Sequence, residues 1–164
     1  MSAPASLIAR TSSLAEEGVH TLVGEHARLM RDVGRRAAPV QALLDARVWP
    51  HAELGALASF LRTAVLRQVS GEEAQLFPND AGAPPFAELS TDHARLRNLT
   101  AQLERAHAEP CSRAELRDLV NDLLATLRRH LDDEQRVLAA LAIADGDVRL
   151  RTFGLDPPRR WVST

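Results

Sequence analysis

The sequence predicts an all-α fold, an up-down-up-down four-helix bundle with a short C-terminal tail, and three observations carry that prediction. Apolar residues recur every three to four positions through four long stretches, and no stretch alternates apolar and polar residues as a strand would. Leu, Ala, Arg and Glu dominate, whereas aromatic residues make up 4% and Tyr is absent, a composition that favours helices over strands. Turn-forming residues separate the four stretches with short links, so consecutive helices should lie antiparallel. At 164 residues with 45% apolar and 26% charged content, the chain fits one globular domain with a core large enough to need no cross-links.

Taken in order, residues 1–12 read as a polar lead, 13–142 as the bundle and 143–164 as a tail packing on it. The first helical stripe runs from about Leu14 through Val19, Leu22, Val23, His26, Leu29, Met30 and Val33. It continues towards Val40, Leu43 and Leu44 with a kink or break expected at Pro39, and Trp49-Pro50 closes it. Pro50 suits a helix start, and the second stripe is Leu54, Leu57, Leu61, Val65, Gln68, Val69, Glu72, Leu76. Phe77 to Pro85, rich in Pro, Gly, Asn and Asp, is a loop. The third stripe is Phe86, Leu89, His93, Leu96, Thr100, Leu103, stopped by Glu109-Pro110. Ser112-Arg113-Ala114-Glu115 has the Ser-x-x-Glu form of a capping box. It opens a fourth stripe from Leu116 through Leu123, Leu127 and Leu131 to Leu141. Asp145-Gly146 then turns into the tail, which carries Pro157-Pro158 and Trp161.

Charge and cysteine usage exclude several functions. The net charge is −2 and Arg interleaves with Asp and Glu, so no basic face exists to neutralise the phosphates of a nucleic acid. No run approaches the ~18 apolar residues of a membrane span, and the first residues lack a leader pattern. The single Cys111 has no internal disulfide partner, which fits a reducing compartment. A cytoplasmic location is expected.

The chemistry sits in the polar residues that interrupt the apolar stripes. His26, Gln68, Glu72, His93, His130 and Glu134 all occupy core phase. His130 and Glu134 lie four apart, as do Gln68 and Glu72, so each pair shares a helix face. Counted from the turns at ~1.5 Å per residue, all six fall within about two helical turns of one depth. A lone His on an apolar face is ordinarily a hydrogen-bonded core residue. Three histidines and two glutamates from four helices at one level are different, because unpaired buried carboxylates are strongly destabilising. Imidazole and carboxylate together suit iron, manganese or zinc; a carboxylate–histidine hydrogen-bond layer is the alternative. Cys111 lies in a loop away from this layer, and no Ser or Cys shares it, which argues against a thiolate site or a nucleophilic triad. His107, about 21 Å along its helix from His93, is expected to serve the helix C-terminus. His20 and His51 carry no expected role, and Glu73, turned about 100° from Glu72, is expected in solvent.

Glu25-His26, Gln68 to Glu73 leading into Leu76-Phe77-Pro78, Asp92-His93 and His130 to Glu134 form an ordered set. It resembles the hemerythrin-like (HHE cation-binding) family over about residues 13–142. The resemblance implies an up-down bundle holding two irons bridged by carboxylates, which binds dioxygen or reacts with nitric oxide or peroxide. It carries over His26, Glu72, His93, His130 and Glu134 as ligands. Gln68 departs from the pattern, standing where the family has the helix-two histidine. An amide oxygen is a neutral and weaker donor than imidazole, so one of the two iron sites should be weakened. The resemblance therefore implies an altered di-iron centre, a single metal or an emptied site. Three functions follow: a non-haem iron protein that binds or senses O2, NO or H2O2 without turnover of an organic substrate; a family-fold module with a degraded site acting in regulation or protein interaction; or a slow peroxidase, oxidase or iron-centre repair protein.

Overall fold

In a computed structural model of the chain, the structure describes residues 5–76 and 86–145, with side chains described over 23–74 and 86–139. The elements are α1 (Ala5–Asp45), α2 (His51–Phe60), a π-helical turn (Leu61–Val65), α3 (Leu66–Leu76), α4 (Phe86–Ala108) and α5 (Arg113–Asp145). α2, the π turn and α3 form one uninterrupted rod, so the described residues make four rods and no strand. α1 packs on α2 and α5, and α4 packs on α5 and on α2 and α3. That ring of neighbours is the up-down-up-down arrangement. The expected loop at 77–85 and the tail beyond Asp145 lie outside the described residues.

Boundaries follow local chemistry. α1 begins at Ala5, so residues 5–12, expected to be a non-helical lead, are helical; no Gly or Pro interrupts the chain there until Gly18. α1 also passes through Pro39 as a single helix rather than breaking. The bond that Pro39 cannot make would have reached the carbonyl of Arg35. Both residues are exposed, so water can satisfy that carbonyl. The helix stops at Asp45, ahead of the Trp49-Pro50 stop read from the sequence. Val48 N–H donates to the Leu43 carbonyl at 2.8 Å and Arg47 N–H to Leu44 at 3.1 Å, with Arg47 at φ 61°. This is a Schellman stop with arginine in the left-handed position usually held by glycine. α5 opens with the expected capping box. Glu115 N–H donates to Ser112 Oγ at 3.2 Å, and Ser112 N–H donates to Glu115 Oε2 at 2.8 Å.

Leu54, Leu57, Leu61, Val33, Val40, Leu96, Leu103, Leu116, Val120, Leu123 and Leu127 are at most 1% exposed and fill the bundle axis. Each such Leu contributes about 1.5–3 kcal/mol by leaving water. The polar layer lies beyond one end of this column. His26 precedes Val33 along α1, while His130 and Glu134 follow Leu127 along α5.

Candidate metal centre

Five ionisable side chains from four rods close in this layer. His93 is 0% exposed, His130 1%, Glu134 3% and His26 5%, and the Glu72 side chain is 11% exposed. Glu72 Oε2 stands 3.2 Å from His93 Nε2 and 3.7 Å from His130 Nε2. Glu134 Oε2 stands 3.2 Å from His26 Nε2 and 3.9 Å from His130 Nε2. The His93 and His130 rings meet edge to face, centroids 4.6 Å apart. Helix periodicity thus places five of the six sequence-derived residues in one layer. The sixth, Gln68, is half-buried one turn before Glu72, and its amide helps to lower the pKa of that carboxyl.

One trio is the tightest. The donor atoms of Glu72, His93 and His130 all lie within 4.8 Å of one another, and no other three His, Cys, Asp or Glu side chains among the described residues converge so closely. Several of these atoms are buried without a well-formed hydrogen bond: Glu72 Oε2, Glu134 Oε2, His130 Nδ1 and both ring nitrogens of His26. A buried polar atom left that way costs about 1–3 kcal/mol, and more when it is charged. Carboxylates and imidazoles facing each other across 3–4 Å with deficient hydrogen bonds are the donor set of a transition-metal ion. The residues present fit such an ion.

Electrostatics keep the site ready for a cation. Burial works against the Glu72 charge, but the facing His130 and His93 imidazoles and the Gln68 amide outweigh it and hold the carboxyl down at about 2. Burial likewise opposes charge on His93, yet hydrogen bonds and charges from Glu72 and then Glu73 raise its pKa. Glu72 is therefore ionised at any physiological pH. A metal ion would replace the protons that these groups otherwise share.

Two ionic clamps surround the layer, and helical phase does not reveal them. Glu73, expected in solvent, instead accepts from His93 Nδ1 at 3.1 Å and from Arg97 Nη1 at 2.9 Å, with a second contact from Arg97 Nη2. The cause is the π turn at Leu61–Val65. Its wider i→i+5 turn adds about one residue to the helical period, so everything after Val65 is rotated by roughly one position from a 3.6 count. Val69 then points at the axis, 2% exposed, and Glu72 and Glu73 flank that line on either side. Asp92, beside His93 and only 7% exposed, accepts from Arg129 Nε at 3.2 Å and from its Nη2. Arg129 adjoins His130, so this pair locks α4 to α5 at the level of the two imidazoles. In sequence, the available signal was Glu73 next to Glu72 and Asp92 next to His93, with Arg97 one turn after His93 and Arg129 beside His130.

His51 and His107 lie outside the layer. They stack on each other with centroids 4.2 Å apart, and His107 lies directly over Gly55. His107 is in the last turn of α4, as expected, but it packs across to α2 as well. Cys111 is a free, half-buried thiol in the α4–α5 link. No helix among the described residues is long and apolar enough to cross a membrane.

Compared with known families, residues 17–142 match the model of the hemerythrin HHE cation binding domain. No curated protein and no solved structure gives a significant match.

Proposed function

The chain belongs to the hemerythrin HHE cation-binding family, and we propose that it is a non-haem iron protein that binds or senses a small ligand such as O2, NO or H2O2 at the His/Glu layer. One observation carries the reading: Glu72, His93 and His130 present donor atoms within 4.8 Å of one another inside the bundle. Bound iron would supply a Lewis-acidic, redox-active centre to which a small ligand can add. Iron is the family's usual metal; the same donors also suit manganese or zinc.

The chain's own residues prepare that centre. Glu72 remains a carboxylate because the His130 and His93 imidazoles and the Gln68 amide favour its charged form over the cost of burial. Glu73 accepts from His93 Nδ1, which leaves Nε2 turned towards Glu72. Val69, Leu127 and Leu131, each at most 3% exposed, neighbour the layer along α3 and α5 and help to exclude water. That apolar setting strengthens every charge interaction within it. Side chains placed for an organic substrate are not part of this constellation, so ligand binding rather than organic turnover is proposed. The lone Cys111 supports a reducing, cytoplasmic setting.

The test is anaerobic loading with ferrous iron, desalting and elemental analysis, followed by exposure to O2 or NO under optical observation. Retained iron whose spectrum responds to the ligand is the expected result. Less than about a tenth of an equivalent of any transition metal after loading overturns the reading and leaves a metal-free helical module.

A further inference from the structure

We infer that the chain binds one metal ion rather than two, on Glu72, His93 and His130, with Glu73 positioning His93; this deepens the iron-binding reading and rests on it. A metal ion with bonds of about 2.0–2.2 Å sets neighbouring donors roughly 3.0–3.4 Å apart. Glu72 Oε2 is 3.2 Å from His93 Nε2 and 3.7 Å from His130 Nε2, and all three donors lie within 4.8 Å of one another, so the two edges from Glu72 already approach that spacing. Two imidazoles and one carboxylate are the donor set of mononuclear non-haem Fe(II) centres, which keep coordination positions open for exogenous ligands.

The other half of the layer lacks a comparable set. His26 and Glu134 face each other at 3.2 Å, and His130 Nε2 stands 3.9 Å from Glu134, but among the described residues no third His, Cys, Asp or Glu closes with that pair to within 4.8 Å on every side. Gln68, one turn before Glu72 on the same rod, offers only a neutral amide oxygen, a weaker donor than a carboxylate or imidazole. His26 presents Nε2 to Glu134, and no carboxylate hydrogen-bonds its Nδ1 from behind. His93 is the opposite case. Its Nδ1 donates to Glu73, and Glu73 is gripped by Arg97 through both carboxylate oxygens. Such a carboxylate–imidazole link orients the ring and raises its basicity, and its removal typically costs 10–100-fold in metal affinity.

The experiment counts iron per chain and measures its affinity after anaerobic ferrous loading of the full-length protein and variants, with helix content recorded for each. One equivalent is expected in the wild type. His93→Gln or, where that variant loses its helix content, Glu72→Gln should retain almost none. Gln68→His should move the count towards two. Glu73→Ala should weaken iron binding about 10–100-fold, and Glu73→Gln, which keeps an oxygen acceptor, should recover most of it with unchanged helix content. Two equivalents in the wild type would overturn the single-ion inference and leave the iron reading standing. So would one equivalent that disappears in His26→Ala but survives His93→Gln. No iron in any variant would overturn both. Unchanged affinity in Glu73→Ala would remove the positioning role.

Discussion

Glu72 and Glu73 show how two adjacent residues of one type acquire different work. Glu72 is buried among imidazoles and held ionised, with its pKa down at about 2. Glu73 is half-exposed and tied to Arg97, the largest cause of its lowered pKa. The first offers a charge to the interior; the second fixes a ring. Another residue-scale fit lies at the far end of the bundle. A Cβ on Gly55 would stand 2.8 Å from His107 Cε1, and the His107 ring is backed by His51 at 4.2 Å. Gly in a helix interior costs about 0.5–1 kcal/mol relative to Ala, so this glycine exists for the close approach. We expect Gly55→Ala to give that full stabilisation in a His107→Ala background and clearly less, or a loss, in the wild type. Urea denaturation of the four proteins in the cycle measures the difference, and equal gains in both backgrounds would show that the contact is inert.

Among the elements, α5 carries the most. It brings Arg129, His130 and Glu134 to the layer, and its start is defined by the reciprocal Ser112–Glu115 bonds. Ser112→Ala should destabilise the protein by about 1 kcal/mol. The Glu115 carboxyl titrates below its ordinary value because Ser112 hydrogen-bonds its charged form. Its contribution is therefore present above the ordinary carboxylate pKa and is lost as pH falls through the lowered one. The stability gap between wild type and Glu115→Ala should be widest near neutral pH and close in acid; a gap constant down to strongly acidic pH would contradict the cap. The rod from α2 to α3 depends on its π turn. Without that turn the rod would keep the 3.6 phase, which carries Glu73 away from His93. The capping box and every rod could be read from sequence because both arise from contacts a few residues apart. The π turn could not, since Leu61-Arg62-Thr63-Ala64-Val65 is compatible with an ordinary helix.

On the scale of the whole molecule, the bundle divides into an apolar column that holds the fold and a polar layer that gathers the candidate metal donors. An ion bound only by the folded state adds stability as RT ln(1 + [L]/Kd), about 2.7 kcal/mol at a hundredfold excess over Kd. For a chain of this size that corresponds to a melting temperature higher by about 5–10 °C. The rise should appear with anaerobic ferrous iron in the wild type and vanish in His93→Gln; an equal shift in both would mean that iron acts elsewhere.

The sequence alone determined the class of the fold and the membership of the layer. Helical period and breakers depend on neighbours in the chain, and His26, Glu72, His93, His130 and Glu134 were each marked by polarity at an apolar phase. Which of those residues converge was decided only by the packing of four rods, because the closing distances run between α1, α3, α4 and α5. Glu73 and Asp92 belong to the same lesson. Their partners, Arg97 and Arg129, lie 24 and 37 residues away, and no local pattern encodes a pairing at that separation. The same packing gives Gln68 its meaning. In sequence it stands as a weak substitute for a ligand, and in the folded chain it lies half-buried one turn before Glu72, where its amide helps to lower that carboxyl's pKa.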